Sequence, residues 1–166
     1  GSESNKHAKK RTIRGGASGK AMVLGLLERG GDVRVKVIAK TNQQNIIPVI
    51  KDVVAQGSIM VTDEHHAYSK LHLDYEHKKV NHREKEYVRY EDIKVHTNSI
   101  EGYWNILKKQ INGIHHSVSP KHLQRYCNES AFRYNRRKAF QDERFANALA
   151  NCEGTLKWKK LTAKAL

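Results

Sequence analysis

Residues 21–38 read Ala21-Met22-Val23-Leu24-Gly25-Leu26-Leu27, Glu28-Arg29-Gly30-Gly31-Asp32, Val33-Arg34-Val35-Lys36-Val37-Ile38. An apolar run, a Gly-Gly turn and an alternating run in this order predict a β-hairpin. The first strand reads as buried on both faces, whereas the second turns Arg34 and Lys36 to one face and valines to the other. Downstream, Thr41 or Asn42 can cap a helix that runs to about Ala55. Ile46, Ile47, Val49, Ile50, Val53 and Val54 give that helix an apolar stripe. Pro48 lies inside it and predicts a kink or a later start. Gln56-Gly57 ends it, and Ile59-Met60-Val61 forms the centre of a short strand, residues 58–62, that stops at Asp63-Glu64. The order strand, strand, helix, strand predicts an α/β fold, with the hairpin and residues 58–62 on one mixed sheet.

The second half reads mainly as helix. Residues 68–73 make a short amphipathic turn, residues 78–81 another short strand, and residues 83–94 a charged loop. A long helix from Asn98 to about Asn112 carries Ile100, Trp104, Leu107 and Ile111 on one stripe, and Gly113 is placed to close it. Ser119-Pro120 is a start signal for the next helix. That helix carries Leu123, Tyr126, Cys127, Ala131 and Tyr134 and ends in Asn135-Arg136-Arg137-Lys138. A last helix covers about residues 142–150. Three segments follow from this reading: a basic arm with a Gly-rich joint over 1–19, a core over 20–150, and a basic tail over 151–166 that contains Trp158.

Charge narrows the partner. The chain has 166 residues, 31 Lys and Arg against 17 Asp and Glu, and a formal net charge of +14. A protein this basic is built to meet a polyanion. No apolar run approaches the roughly 20 residues of a membrane span, and no signal-like segment opens the chain, so a cytoplasmic protein without a membrane partner is expected. Cys127 and Cys152 fit no zinc spacing and read as reduced thiols. The pairs His65-His66 and His115-His116 are sequence neighbours whose side chains are expected to point apart, which argues against a zinc site. Gly19-Lys20 does not complete a phosphate-binding loop, because Arg14 stands where its first glycine is needed and Ala21 where Ser or Thr is needed. Lys9, Lys10 and Arg11 are phosphate-contact candidates in the arm, or simply a solvated loop. Arg133, Arg136, Arg137 and Lys138 form a basic helix end that can grip phosphates.

Two carboxylates stand out by position. Asp63 follows a buried apolar strand, and ligands gather at strand ends in α/β sheets. The alternative is that Asp63 caps the short helix that follows. Glu101 shares a helix face with Asn98, Asn105 and Lys108, at three- and four-residue spacing. It can equally make a surface ion pair or support the helix dipole. Together, a strand-end Asp and a helix-borne Glu suggest ligands for magnesium, which takes one or two carboxylates plus phosphate oxygens.

Beyond these residues lies a family resemblance. His96-Thr97-Asn98-Ser99-Ile100-Glu101-Gly102-Tyr103-Trp104 with Leu107-Lys108-Lys109 resembles the third catalytic block of DDE-type insertion-sequence transposases, in the group related to Merlin elements. Val61-Thr62-Asp63-Glu64 with Ala67-Tyr68 resembles the second block. Asn5-Lys6-His7, Val80-Asn81-His82, Val118-Ser119-Pro120-Lys121-His122-Leu123 and Phe132-Arg133-Tyr134-Asn135-Arg136-Arg137 also match, in order. The resemblance implies a ribonuclease H-like mixed sheet with flanking helices, in which a first-strand Asp lies beside the strand bearing the second. It assigns Asp63 and Glu101 as metal ligands, Lys108 as the basic residue after the third acid, and Asn98 as a rival or auxiliary ligand. It implies a two-ion magnesium or manganese site, cleavage and strand transfer of DNA, element-end and target DNA as partners, and a homo-oligomer on DNA. Residues 1–31 contain no Asp, and Gly1-Ser2 resembles a tag scar. The chain is therefore expected to start after the first catalytic strand and to be inactive by itself; the alternative is a non-catalytic nucleic-acid-binding domain, a transposase remnant that keeps the charge without the chemistry.

Overall fold

The computed structural model describes residues 21–80, 96–152, 154, 157 and 158. The arm with Lys9, Lys10 and Arg11, the expected loop over 83–94 and most of the basic tail lie outside the described residues. The chain divides into two compact units. One comprises Gly1–Gly25 and Lys36–Ser99, the other Leu26–Val35 and Ile100–Leu166. The expected hairpin forms from β1 (Met22–Leu27) and β2 (Val33–Ile38) and is shared between the units. Its turn closes by the Glu28 N–H donating to the Asp32 carbonyl and the Gly31 N–H to the Glu28 carbonyl, each at 3.0 Å. Gly30 occupies φ +73°, a backbone region that glycine enters without steric cost.

In the first unit, α1 (Gln43–Val53) starts as its sequence requires. Asn42 caps it, its side-chain oxygen accepting the Asn45 N–H at 3.1 Å. Ile46 and Ile50 are buried, one turn apart. Pro48 sits within the helix. Gln44, whose carbonyl loses its usual i+4 partner there, is exposed, so water can replace the missing donor. The helix stops at Val53, short of the expected Ala55. β3 (Ile59–Thr62) then pairs in parallel with β4 (Glu76–Lys79), in the register Met60 to His77 and Thr62 to Lys79. Two 3-10 turns, His66–Tyr68 and Leu71–Leu73, connect them. Ala67, Leu71, Tyr75 and Val80 are buried with Leu24, Ile46 and Ile50 as this unit's core. Polar ties fix the connection. Gln43 Nε2 donates to Ser69 Oγ at 2.6 Å, the Tyr75 hydroxyl to the Val54 carbonyl at 3.1 Å, and Lys51 pairs with Asp74 at 2.8 Å.

The sheet differs from expectation. Among the described residues the hairpin and β3 belong to two separate two-stranded sheets, β1-β2 and β3-β4. A strand ladders only with a neighbour that presents its backbone N–H and C=O groups in register, and for β3 that neighbour is β4. The mixed α/β character stands; the single sheet does not form among these residues.

The second unit is helical around the turn of the hairpin. α2 (Asn98–Lys109) begins at the unit boundary and continues as a π-helical segment, Gln110–His115. α3 (Leu123–Asn135) and α4 (Gln141–Ala150) follow. Two end signals act differently from expectation. Gly113 lies inside the π segment, and the chain turns at His116, with φ +56°. Pro120 sits in the turn before α3, where the His122 N–H donates to the Ser119 carbonyl at 2.9 Å. The buried side of α2 is also shifted. Tyr103 is fully buried and Leu107 is 5 % exposed, while Ile100, Trp104 and Ile111 are half-buried. The cause is tertiary: the Tyr134 ring of α3 meets Tyr103 edge-on, with centroids 5.2 Å apart.

α3 also satisfies the free edge of β2. Asn135 Nδ2 donates to the Val33 carbonyl at 3.0 Å, and its Oδ1 accepts the Val33 N–H at 2.8 Å. Gln124 Nε2 donates to the Val35 carbonyl at 3.0 Å. Val33 is 1 % exposed, so both of its backbone groups depend on this one side chain. Asn135→Ala will cost about 2–3 kcal/mol, the cost of stranding buried backbone groups. Urea unfolding of the variant beside the wild type measures it, and a loss below about 0.5 kcal/mol would mean that the amide's hydrogen bonds contribute little.

Candidate active site

Asp63 follows the last residue of β3 and is exposed; the strand is not the buried apolar one expected, since Thr62 alone is buried and Ile59 is exposed where β3 has little packed over it. Its Oδ1 accepts the His65 N–H at 3.2 Å, an Asx turn that orients the carboxylate. The cap of the next 3-10 turn is His65, whose Nδ1 accepts the Ala67 N–H at 3.2 Å, so the capping reading passes from Asp63 to His65. Behind Asp63, the Thr62 hydroxyl donates to the Asp63 carbonyl at 2.8 Å and lies 2.8 Å from His77 Nε2. Burial, then the charges of Lys79 and His72, lower the His77 pKa. Tyr68 is half-buried close by. Burial, then the Asp63 charge, push its phenol up to about 12. The His65 and His66 rings do not point apart, since their centroids lie 4.5 Å from each other.

The second group of residues lies on α2. Asn98, Glu101, Asn105 and Lys108 are all exposed, and their spacing puts them along one side of the helix. Asn105 and Lys108, with Lys109, Asn112 and Gly113, line an open depression of about 470 Å³ where the α-helix passes into the π segment. π segments recur at functional sites because the wider turn re-aims side chains. Lys109 was legible beside Lys108 in the sequence. Asn112 was not, because its place depends on the change of helical period.

The basic end of α3 divides into packed and solvated cations. Arg133 is exposed and paired with Glu129. The Arg137 guanidinium lies 4.1 Å from the Tyr134 ring centroid and donates to the carbonyls of Tyr134, at 2.9 Å, and Gly31, at 3.4 Å. Arg136 lies 5.5 Å from the Phe132 centroid, with its Nε buried. Lys138 is exposed.

Hard divalent cations take oxygen donors, and magnesium commonly takes one or two protein carboxylates with the rest from water and phosphate. Asp63 fits that role, being an exposed carboxylate with one oxygen anchored by a backbone N–H. Among the described residues no group of three or more His, Cys, Asp or Glu side chains is assembled for a metal. Asp63 belongs to the first unit and Glu101 to the second.

In comparison with known families, the ISXO2-like transposase domain matches residues 1–135. The chain belongs to this family. It is a DDE-type insertion-sequence transposase domain, and the match spans Asp63, Asn98, Glu101, Lys108 and Arg133. Arg136, Arg137, Lys138 and α4 of this transposase domain lie beyond the matched residues. Family membership implies DNA as the partner and divalent metal ions as the cofactor. Comparison with curated proteins and with solved structures gave no match. Among the described residues no helix is long and apolar enough to cross a membrane.

Proposed function

We propose that, within the intact transposase, this domain is a ribonuclease H-like catalytic core that cleaves DNA at an element end and joins the freed 3′-hydroxyl to target DNA. The observation that carries the reading is Asp63. It is an exposed, oriented carboxylate at the end of a strand in a parallel pair, within a chain of +14 net charge that belongs to a transposase family. Asp63 and Glu101 would hold magnesium or manganese, which supplies Lewis-acid stabilisation of charge at the phosphate. Asn98 is an auxiliary ligand on the helix that bears Glu101. Lys108 contacts phosphate from the rim of the depression it shares with Asn105 and Asn112. Arg133 and Lys138 at the end of α3, and Lys9, Lys10 and Arg11 in the arm, hold the DNA backbone. Arg136 and Arg137 chiefly pack that helix end against Phe132 and Tyr134. In this reading, residues 1–19 serve as a phosphate-contacting arm, 20–150 as the core and 151–166 as a basic tail.

The test is strand cleavage and joining by the intact transposase on element-end DNA with magnesium or manganese. Asp63→Ala will lower the rate at least about a hundredfold, because metal-held charge stabilisation contributes several kcal/mol to the transition state. Its DNA affinity will stay within about twofold, since phosphate contacts made by cations carry that affinity. Metal-dependent cutting that survives Asp63→Ala would place the active site elsewhere.

A further inference from the structure

The strand that lies beside Asp63 carries a residue that neither the family motifs nor the carboxylate reading employs. His77 lies on β4, opposite Met60 in the parallel register, and its ring reaches diagonally to Thr62. Met60 and Thr62 are two residues apart and so share a face of β3, which brings His77 to the strand's end. The Thr62 hydroxyl lies 2.8 Å from both the Asp63 carbonyl and His77 Nε2. A carbonyl oxygen only accepts, so the single hydroxyl proton is directed there. The hydroxyl oxygen is then left to accept, and His77 Nε2 must carry a proton. The resulting chain runs from His77 Nε2–H to Thr62 Oγ, and from Thr62 O–H to the Asp63 carbonyl. Thr62 is 8 % exposed, so competition from water is slight. At the other end of the residue, the His65 N–H holds Asp63 Oδ1. Asp63 is thus fixed through its backbone from one side and through its carboxylate from the other, and Oδ2 is left to meet a ligand.

We propose that His77 is a positioning residue for Asp63, acting through the Thr62 hydroxyl to fix the backbone from which the metal-holding carboxylate projects. This rests on the reading of Asp63 as a metal ligand. The direction of the His77 pKa shift agrees with it: burial lowers the pKa and so favours the neutral ring, whose single N–H this arrangement assigns to Nε2. The side chain's role is directional, and packing alone does not supply it. Gln places an amide N–H near the position of Nε2 and keeps the donor. Phe keeps the ring volume and loses it.

The experiment uses the isotopically labelled 166-residue protein in solution. Long-range proton–nitrogen spectra of the His77 ring will show the Nε2–H tautomer. His77→Phe will speed exchange of the His65 amide about fivefold, the weight of one ordinary hydrogen bond, and will move the Asp63 carbonyl carbon resonance. His77→Gln will restore both to near wild type. If His77→Phe does not fold, Thr62→Val removes the same link with nearly unchanged volume and will give the same two changes. An Nδ1–H tautomer would overturn the proposal. So would a Phe variant that matches wild type while Gln does not, because packing alone would then suffice. Manganese titration of the wild type is a separate arm. Failure of manganese to broaden the Asp63 and His65 amides would remove the metal reading of Asp63, while the tautomer and the Gln rescue would still report on the positioning link.

Discussion

The affinity of the protein for duplex DNA will fall about 10³-fold as salt rises from about 50 to about 200 mM, and will depend little on sequence. Each phosphate neutralised by a cation releases condensed counterions and adds a slope of about −0.9 in log affinity against log salt, so about six such contacts give this loss. The chain has 31 Lys and Arg, well above that requirement. Lys138→Ala will shallow the slope by about one contact's worth, because Lys138 is exposed at the helix end. Arg137→Ala will act differently. Its guanidinium lies over Tyr134 and bonds two carbonyls, so the loss will appear in folding stability more than in the salt slope. Fluorescence anisotropy across a salt series measures both variants. A flat salt response would remove phosphate contact as the basis of binding.

Tyr103→Ala will destabilise the second unit by about 3–5 kcal/mol, the usual cost of emptying a buried aromatic site. Tyr103 is fully buried, meets Tyr134 edge-on at 5.2 Å and lies against Trp104 at 5.5 Å. Tyr103→Phe will cost little or add stability. The Tyr103 hydroxyl and Ser130 Oγ are both buried, and neither completes a hydrogen bond of good geometry, so removing the hydroxyl removes an uncompensated polar group. The phenol's protonation follows the same logic. Burial pushes the Tyr103 pKa up, and the nearby Ser130 hydroxyl only partly opposes it. A folded-state pKa above the unfolded value of about 10 means stability that is fully present below about pH 10 and lost as the phenol is forced to ionise above it. Urea unfolding at neutral and alkaline pH tests both parts. A Phe variant several kcal/mol weaker than wild type would show that the hydroxyl does find a partner.

The local elements were legible because their signals are local. The run over residues 21–38 forms the hairpin, Asn42 caps α1, and the alternation of apolar residues marks the helices within a few positions of their ends. Where the ends of elements differ from expectation, the causes are specific. The π segment carries the helical path past Gly113 to His116, and the Ser119-Pro120 signal opens a turn before α3 begins at Leu123. The stripe on α2 was displaced because periodicity gives the pitch of an apolar face and leaves its rotation toward a neighbour open. Tyr103 is internal because Tyr134, 31 positions on, packs against it.

The sequence by itself determined the large positive charge, the order of strands and helices, and the blocks around Asp63 and Glu101 that identify a DDE-type transposase domain. These properties depend on composition and on residues close in sequence. The tertiary structure decided which strand pairs with β3, that His77 comes to Thr62 behind Asp63, and that Asn135 replaces a ladder partner for Val33. It also decided that Arg137 packs on Tyr134 rather than standing free at the helix end. Each of these outcomes except the last joins residues distant in the chain, and each turns on direction: a strand register, a ring's donor nitrogen, an amide aimed at a backbone. The Arg137 contact is local in sequence, but its second anchor, the Gly31 carbonyl, is more than a hundred positions away. Hydropathy and spacing carry no term for such directions, because they arise only when separate segments meet and their hydrogen-bonding groups must be satisfied together.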